Sequence, residues 1–528
     1  MMLTSISPPA SLFGPSRRLA VCVALLVATH AHAEVKLPEV FSDGMVLQRD
    51  MPLPIGGTAA PGEQVTVRLA GQQKSTVADG QGNWRVTLEA LSAGAVGDLV
   101  VTGSNKITLS DVLAGEVWVC SGQSNMRWYV RDAWNADLEI PKANHREIRL
   151  LTLNSPGSQT PQTRCDAPWV ACTPQTVGGF SAVGYYFGLE LHERLKVPVG
   201  LIHNAWGGSA CEAWIPLDRL EKDPRYAPLL ERWEKIVAGY DEAGEQAKHE
   251  VRVAKWKKEQ AAAKAAGRPA PQRPRLDNPL VGQHRPANLY NSRLTPLMPL
   301  PIRGVIWYQG ENNAGRAYQY RELFPLMIRS WREAWGQGDF PFYWVQLADF
   351  KPMHAEPRES DWAELREAQT LTLDREPHTG QAVIIDLGEV ADIHPRKKME
   401  VARRLARLAL ANEYGFKTAH KSPRFDRLER VDDALVITLK DCDQPLRTVD
   451  QPEVLGFTVA GADRKWRHAT AEILGKNQIR VHCDQVTDPV AVRYAWADNP
   501  VCNLFTTAGL PVTPFRTDDW PGKTIHNQ

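Results

Sequence analysis

The sequence predicts an α/β layered domain with a mainly parallel sheet, plus β-sandwich-like regions at both ends. Apolar runs recur at 116–120, 148–153, 199–205, 302–308, 341–347 and 382–387, with longer, often helix-compatible segments between them. That is the grammar of buried parallel strands joined by crossover helices. The flanks read differently, as short strands cut by Gly and Pro. At 528 residues the chain exceeds one ordinary domain, so a catalytic domain with accessory ones is expected.

The elements follow in order. Residues 1–33 read as a removable export signal: Arg17-Arg18, an apolar run from Leu19 to Ala28, and Ala31-His32-Ala33 as a small-residue cleavage site. The run is too short to span a bilayer comfortably. The mature chain is therefore expected to be exported, periplasmic or extracellular, with no membrane contact once the signal is removed. Residues 34–112 form an N-terminal β-domain, with strands such as Val65–Leu69 and Trp84–Leu88 between the breaks Gly56-Gly57, Pro61-Gly62 and Gly80-Gln81-Gly82. Residues 113–412 form the catalytic domain, interrupted at 218–275 by a charged helical insertion, roughly Pro228 to Ala266, that ends in a Pro-rich run. After Pro395 a helix places Val401, Leu405 and Leu408 on one face and Arg403, Arg404 and Arg407 elsewhere. Residues 413–528 return to short strands such as Leu435–Leu439 and Val490–Tyr494.

Composition excludes some classes. A formal charge of +1 with scattered charges leaves no basic face for nucleic acid. No CxxC pair or HExxH motif points to a metal, and no cofactor is implied. Export permits disulfides, and Cys165–Cys172 and Cys442–Cys483 are the candidate bridges, with buried thiols the equal alternative.

The chemistry lies in two distant stretches. Gly122-Gln123-Ser124-Asn125-Met126 follows the apolar run Glu116–Cys120, and Asp392-Ile393-His394-Pro395 ends another. A serine in a glycine turn after a buried strand is a candidate nucleophile, but its hydroxyl needs a base and an oriented partner for that base. Ser124, His394 and Asp392 are the candidates. Pro395 biases His394 away from helical geometry, and in an extended stretch residues two apart share a side, so Asp392 can orient the ring. Asp386, Glu389 or a backbone carbonyl are the alternatives. The oxyanion of acyl transfer also needs donors: the Ser124 N–H first, then Gly207 or Gly208, where the absent side chain lets a main-chain N–H approach closely.

Four blocks, Cys120–Met126, Trp206–Ser209, Trp307–Glu311 and Asp392–Pro395, resemble successive blocks of the sialate O-acetylesterase family of SGNH hydrolases. Leu37–Gln48, Val492–Pro500 and Pro514–Asp518 resemble its two ends, so the likeness covers nearly all of the mature chain, least of all the charged insertion. The resemblance implies an SGNH-like fold, carbohydrate O-acetyl ester hydrolysis without a cofactor, and the Gln309 amide as a third oxyanion donor. The chain departs from the SGNH pattern at Asp392, two residues before the histidine rather than three. An acetylated glycan is the implied partner. A sialic acid would favour a cation such as Arg127; a plant polysaccharide such as xylan or xyloglucan would favour aromatic platforms. Trp118, Trp128, Trp206 and Trp307 flank the motifs, and Glu311 supports its loop at the substrate position. The competing reading is a non-catalytic glycan-binding protein with a vestigial hydrolase domain; a lipase-like esterase is a third.

Overall fold

The computed structural model describes residues 34–165 and 167–527; the expected signal, 1–33, lies outside them. Six parallel strands stand in the order Thr379–Ala382, Phe342–Val345, Gly304–Tyr308, Lys106–Gly122, Val199–Ala205 and His145–Thr152. Val170–Cys172 adds an antiparallel edge. The chain leaves the central strand Lys106–Gly122 towards one edge, returns to its side as Val199–Ala205, and then builds outward from its other side. The loops after the central strands thus part at this reversal, where open α/β sheets bind ligands.

Alternation along the strands sorts the two faces. Trp118, Cys120, Leu201, Ile306 and Tyr343 pack towards the helices Ala182–Leu195 and Lys398–Tyr414. Val117, Val119, Ile202, Val305 and Trp307 pack towards Ala317–Trp335 and Asp361–Leu371. Val401, Leu405 and Leu408 are buried as their spacing predicts, while Arg404 reaches back to Asp386 at 2.6 and 2.7 Å. The last expected run, 382–387, is displaced. Its strand is Thr379–Ala382, because the neighbouring ladder ends at Val345 opposite Ala382; Val383–Ile385 stay buried without a strand partner.

The N-terminal β-region is continuous with this sheet. The first half of Lys106–Gly122 pairs with Gly94–Thr102, and its middle with Val46–Gln48. A two-stranded layer, Leu53–Thr58 with Asn83–Leu88, packs its apolar side into the same core. The C-terminal region has two four-stranded antiparallel sheets around Leu435, Ile437, Phe457, Val459, Ile479 and Tyr494. It is tied to the catalytic region by the buried Arg366, which donates to the carbonyls of Leu347, Ala348, Ala497 and Asp498 at 2.6–2.9 Å.

The charged insertion is helical, as two helices, Ala227–Ala238 and Glu242–Ala265. The break is set by Gly239 and by Asp241, whose carboxylate caps the second helix through the Gly244 N–H. Among the described residues no helix is long and apolar enough to cross a membrane.

The two expected disulfides are not formed. Cys172 is a free, buried thiol on the edge strand. Cys442 points at the Gln444 and Lys476 carbonyls and Cys483 at the His468 carbonyl, so each faces main chain rather than the other sulfur. Burial pushes the Cys172 thiol up to about 12, which keeps it protonated and unreactive.

Candidate active site

The site is built outward from Gly122. The central strand ends there at φ +134°, and a Cβ would lie 2.2 Å from the Tyr308 carbonyl oxygen, a separation real side chains do not adopt. The turn is then pinned from both sides. Gln123 N–H donates to Tyr308 O at 2.9 Å, while Trp206 N–H and the Ser209 hydroxyl each donate to Gly122 O at 3.1 Å. Ser124 opens the short helix Ser124–Arg127, so its N–H is one of the donors a helix start leaves unpaired.

His394 arrives on the loop after the last parallel strand. Its Nε2 lies 2.8 Å from Ser124 Oγ, and its Nδ1 lies 3.2 Å from Asp392 Oδ1. The same Asp392 oxygen accepts the His394 backbone N–H at 2.9 Å. Residues 392–394 are therefore bent, not extended; a local Asx-type bond, rather than a shared strand face, makes the two-residue spacing work. Asp386 is engaged by Arg404 and Glu389 by Arg396, so the alternative orienting carboxylates are occupied. Burial lowers the His394 pKa below the usual imidazole value, and the Lys398 ammonium lowers it further against the pull of Asp392.

Gly207 lies against the serine: a Cβ built on it would stand 3.6 Å from Ser124 Cβ. Neither Gly207 N–H nor Gly208 N–H has an acceptor among the described residues. Gly208, at φ +74°, faces Gln283 and His284. Gln309 is the correction. Its side chain is fully buried, with the amide N–H groups spent on Ser209 O at 3.1 Å and Asn313 Oδ1 at 2.7 Å and its oxygen taken by the Tyr320 hydroxyl. It braces the loops from beneath and is not turned towards Ser124.

The flanking residues divide. Trp118 and Trp307 are core, both fully buried. Trp128 stacks on the His394 ring, 5.1 Å between centroids at 19°. Trp206 lies under the Arg293 guanidinium, 4.3 Å away. Arg127 donates to the Tyr129 hydroxyl through both Nε and Nη2. Glu311 accepts from Asn125 Nδ2 at 2.6 Å, while its Oε2 is buried without a partner; burial raises its pKa.

Three neighbours escaped the sequence reading. Asn125 Nδ2 also donates to Ile393 O at 3.0 Å, and Asn125 Oδ1 accepts from the fully buried Lys398. Burial pushes Lys398 down to about 7. Trp134 is 54% exposed, and its backbone N–H donates to the Arg396 carbonyl, two residues beyond His394. Lys398 had a usable signal, four residues after the histidine at the start of the following helix; Trp134 had none, because an isolated indole does not declare which loop it will join. Among the described residues no cluster of three or more His, Cys, Asp or Glu could hold a metal.

A serine hydroxyl bonded to an imidazole beyond the carboxyl ends of a parallel sheet, with Gly207 packed against the serine, places the chain among α/β ester hydrolases. A family model described as carbohydrate esterase, sialic acid-specific acetylesterase, matches residues 114–246 and 284–408. Sialate O-acetylesterase of Mus musculus is 28% identical, across 95% of this chain and 98% of its own; that of Homo sapiens is 27% identical, across 91% and 92%. The crystal structure of a carbohydrate acetylesterase from Xanthomonas citri is 37% identical, covers 92% of this chain and all of its own, and superposes with a TM-score of 0.77. The chain belongs to the sialate O-acetylesterase family of carbohydrate acetylesterases and is a carboxylic-ester hydrolase for O-acetyl esters.

Gly122→Ala tests the turn. The added methyl cannot fit beside the Tyr308 backbone, and the expected result is a loss of several kcal/mol of stability, about 3 or more, read as a lowered denaturation midpoint. A variant with unchanged stability and activity would mean that the turn can shift freely.

Proposed function

We propose that the protein is an exported carbohydrate O-acetylesterase in which Ser124 is the nucleophile, His394 the general base and acid, and Asp392 the group that orients the imidazole. The observation that carries this reading is the 2.8 Å contact between Ser124 Oγ and His394 Nε2. Oγ attacks the acetyl carbonyl carbon as its proton passes to Nε2. The tetrahedral oxyanion is held by the N–H groups of Ser124 and Gly207. Collapse breaks the bond to the sugar oxygen, which takes the proton from His394 and leaves as the free hydroxyl. Water, deprotonated by the same imidazole, then attacks the acetyl-Ser124 ester; the acetyl–Oγ bond breaks, Oγ takes the proton back from Nε2, and acetate is released. Each oxyanion donor is worth ~10²–10³ in rate.

The substrate lies among acetylated plant polysaccharides or oligosaccharides and O-acetylated sialic acids. Arg127, whose guanidinium lies with Ser124 against Gly207 and bonds only the Tyr129 hydroxyl among the described residues, suits an anionic sugar. Trp134, at the rim and flanked by Arg396 and Lys397 at 5.9 and 5.8 Å from its ring, suits a further sugar ring stacked outside the acetyl-binding position. Export rests on the features of residues 1–33 set out above.

Acetate release from acetylated xylan, xyloglucan and O-acetylated sialic acids decides the function and the substrate together. Wild type is expected to release acetate from one class, and Ser124→Ala to lose ~10³-fold or more; release by a folded Ser124→Ala protein at the wild-type rate would overturn the serine mechanism. Asp392→Asn should fold normally and lose ~10²-fold in kcat, since the amide still caps the His394 N–H but no longer carries charge. Full activity would reassign the orienting role. Trp134→Ala should raise KM for an oligomeric or polymeric substrate roughly tenfold, about 1.4 kcal/mol, and leave that for a small acetyl ester unchanged; equal effects on both would show that Trp134 supports the loop and not the sugar.

A further inference from the structure

Beneath the serine–histidine pair lies a set of polar groups to which no step of the ester chemistry assigns a role. Lys398 is fully buried at the first turn of the helix Lys398–Tyr414. Its Nζ donates to Asn125 Oδ1 and lies 5.2 and 5.8 Å from the centres of the Tyr308 and Trp128 rings. Asn125 joins three partners at once. Its oxygen holds the ammonium, and its nitrogen holds both the Glu311 carboxylate at 2.6 Å and the carbonyl of Ile393, the residue before His394, at 3.0 Å.

We propose that Lys398, Asn125 and Glu311 form a buried positioning unit that fixes the His394 loop and keeps the imidazole in its uncharged, proton-accepting form. The inference rests on His394 acting as the base. Two features separate the unit from ordinary scaffolding. A buried amine and carboxylate are costly to desolvate and are seldom retained for stability alone. Here the two are linked through Asn125, and Glu311 Oε2 accepts no hydrogen bond. The unit also touches both halves of the reacting pair: Asn125 follows Ser124 in the chain and bonds beside His394, and the Trp128 indole that faces Lys398 is the one stacked on the imidazole.

The charges facing each group fix the sign. His394 faces the Ser124 hydroxyl, the Asp392 carboxylate and the Lys398 ammonium. Lys398 faces Glu311, with Asp392 and Glu389 further contributors. A neighbouring cation opposes the imidazolium, so Lys398 moves protonation of His394 to lower pH, and Glu311 moderates that effect. The acidic limb of kcat/KM should consequently fall below the ordinary imidazole value of about 6.5.

The test is the pH profile of kcat/KM for acetate release from a small acetyl ester. Lys398→Gln keeps a donor for Asn125 without the charge, and should move the acidic limb up by about one unit. Lys398→Arg retains the charge, and should leave the limb near its wild-type position. A folded Lys398→Gln enzyme that is slower at every pH with an unmoved limb would overturn the proposal and leave a purely structural lysine. Should the lysine variants not fold, Glu311→Gln reads the same charges with opposite sign: its limb should move to lower pH, and a folded variant with an unmoved limb overturns the proposal equally. His394→Ala separates this inference from the reading beneath it. If that variant keeps wild-type turnover, the base assignment itself fails; if it loses turnover while the lysine variants leave the limb in place, only the positioning unit fails.

Discussion

The contact between Gly122 and the Tyr308 carbonyl is the constraint on which the rest of this structure depends. The strand Lys106–Gly122 belongs to the N-terminal β-region along its first half and to the parallel sheet along its second. It must therefore end where two further strands, Val199–Ala205 and Gly304–Tyr308, also end. All three reach the same level, Gly122 opposite Ala205 and Tyr308. Because Gly122 has no Cβ, the following turn can lean onto the Tyr308 backbone, and Ser124 emerges between the neighbouring loops instead of above them. Sheet register becomes side-chain placement without a long flexible connection.

Two buried glutamates on this framework show how one residue type is used in opposite ways. Glu116, at the start of the parallel half of the central strand, accepts from Arg49, Arg303 and Gln48 at 2.6–3.2 Å. Those cations outweigh the cost of burial, and its pKa is lowered. It behaves as a satisfied structural anchor between the N-terminal region and the sheet. Glu311, beyond the far end of the same sheet, accepts from the Asn125 amide and leaves Oε2 without a partner; burial outweighs the pull of its own and the Gly310 N–H groups, Asn125 and Lys398, and its pKa is raised. A fully bonded buried carboxylate steadies a fold, whereas one left short of partners remains responsive to charge.

Much of this was legible in the sequence, because strands announce themselves by apolar runs and the reacting residues sit in short turns at the ends of those runs. Ser124 and His394 could be placed by that logic alone. What could not be read was where an amide points. Gln309 follows its strand as directly as Ser124 follows its own, yet Ser209, Asn313 and Tyr320 draw its side chain inward. Asp392 illustrates the converse. Its carboxylate does meet the His394 ring, but not along a shared strand face, since a single oxygen bonding both the backbone and the ring of His394 demands a bend that periodicity does not reveal. The cysteine pairs failed for a similar reason. Their spacing left bridge and thiol equally open, and Cys442 and Cys483 each remain free with the sulfur directed at main-chain carbonyls.

The charged insertion is a last instance of sequence separation concealing proximity. Its long helix is solvated, with Ala263 its one buried residue, and it gives no reason to connect it with the chemistry. The return leg does. Trp256 donates to the Pro271 carbonyl at 2.8 Å, folding the Pro-rich run back along the helix, and the chain then enters the site region at Gln283 and His284. The Gln283 carbonyl accepts the Ala210 N–H at 3.3 Å, and both side chains come within 4 Å of the Cβ position of Gly208. The helix can vary in length and charge at little cost to the fold, while its return leg forms part of the wall beside the Gly207–Gly208 turn. An insertion of this kind can alter the surroundings of Ser124 without changing Ser124 or His394 themselves.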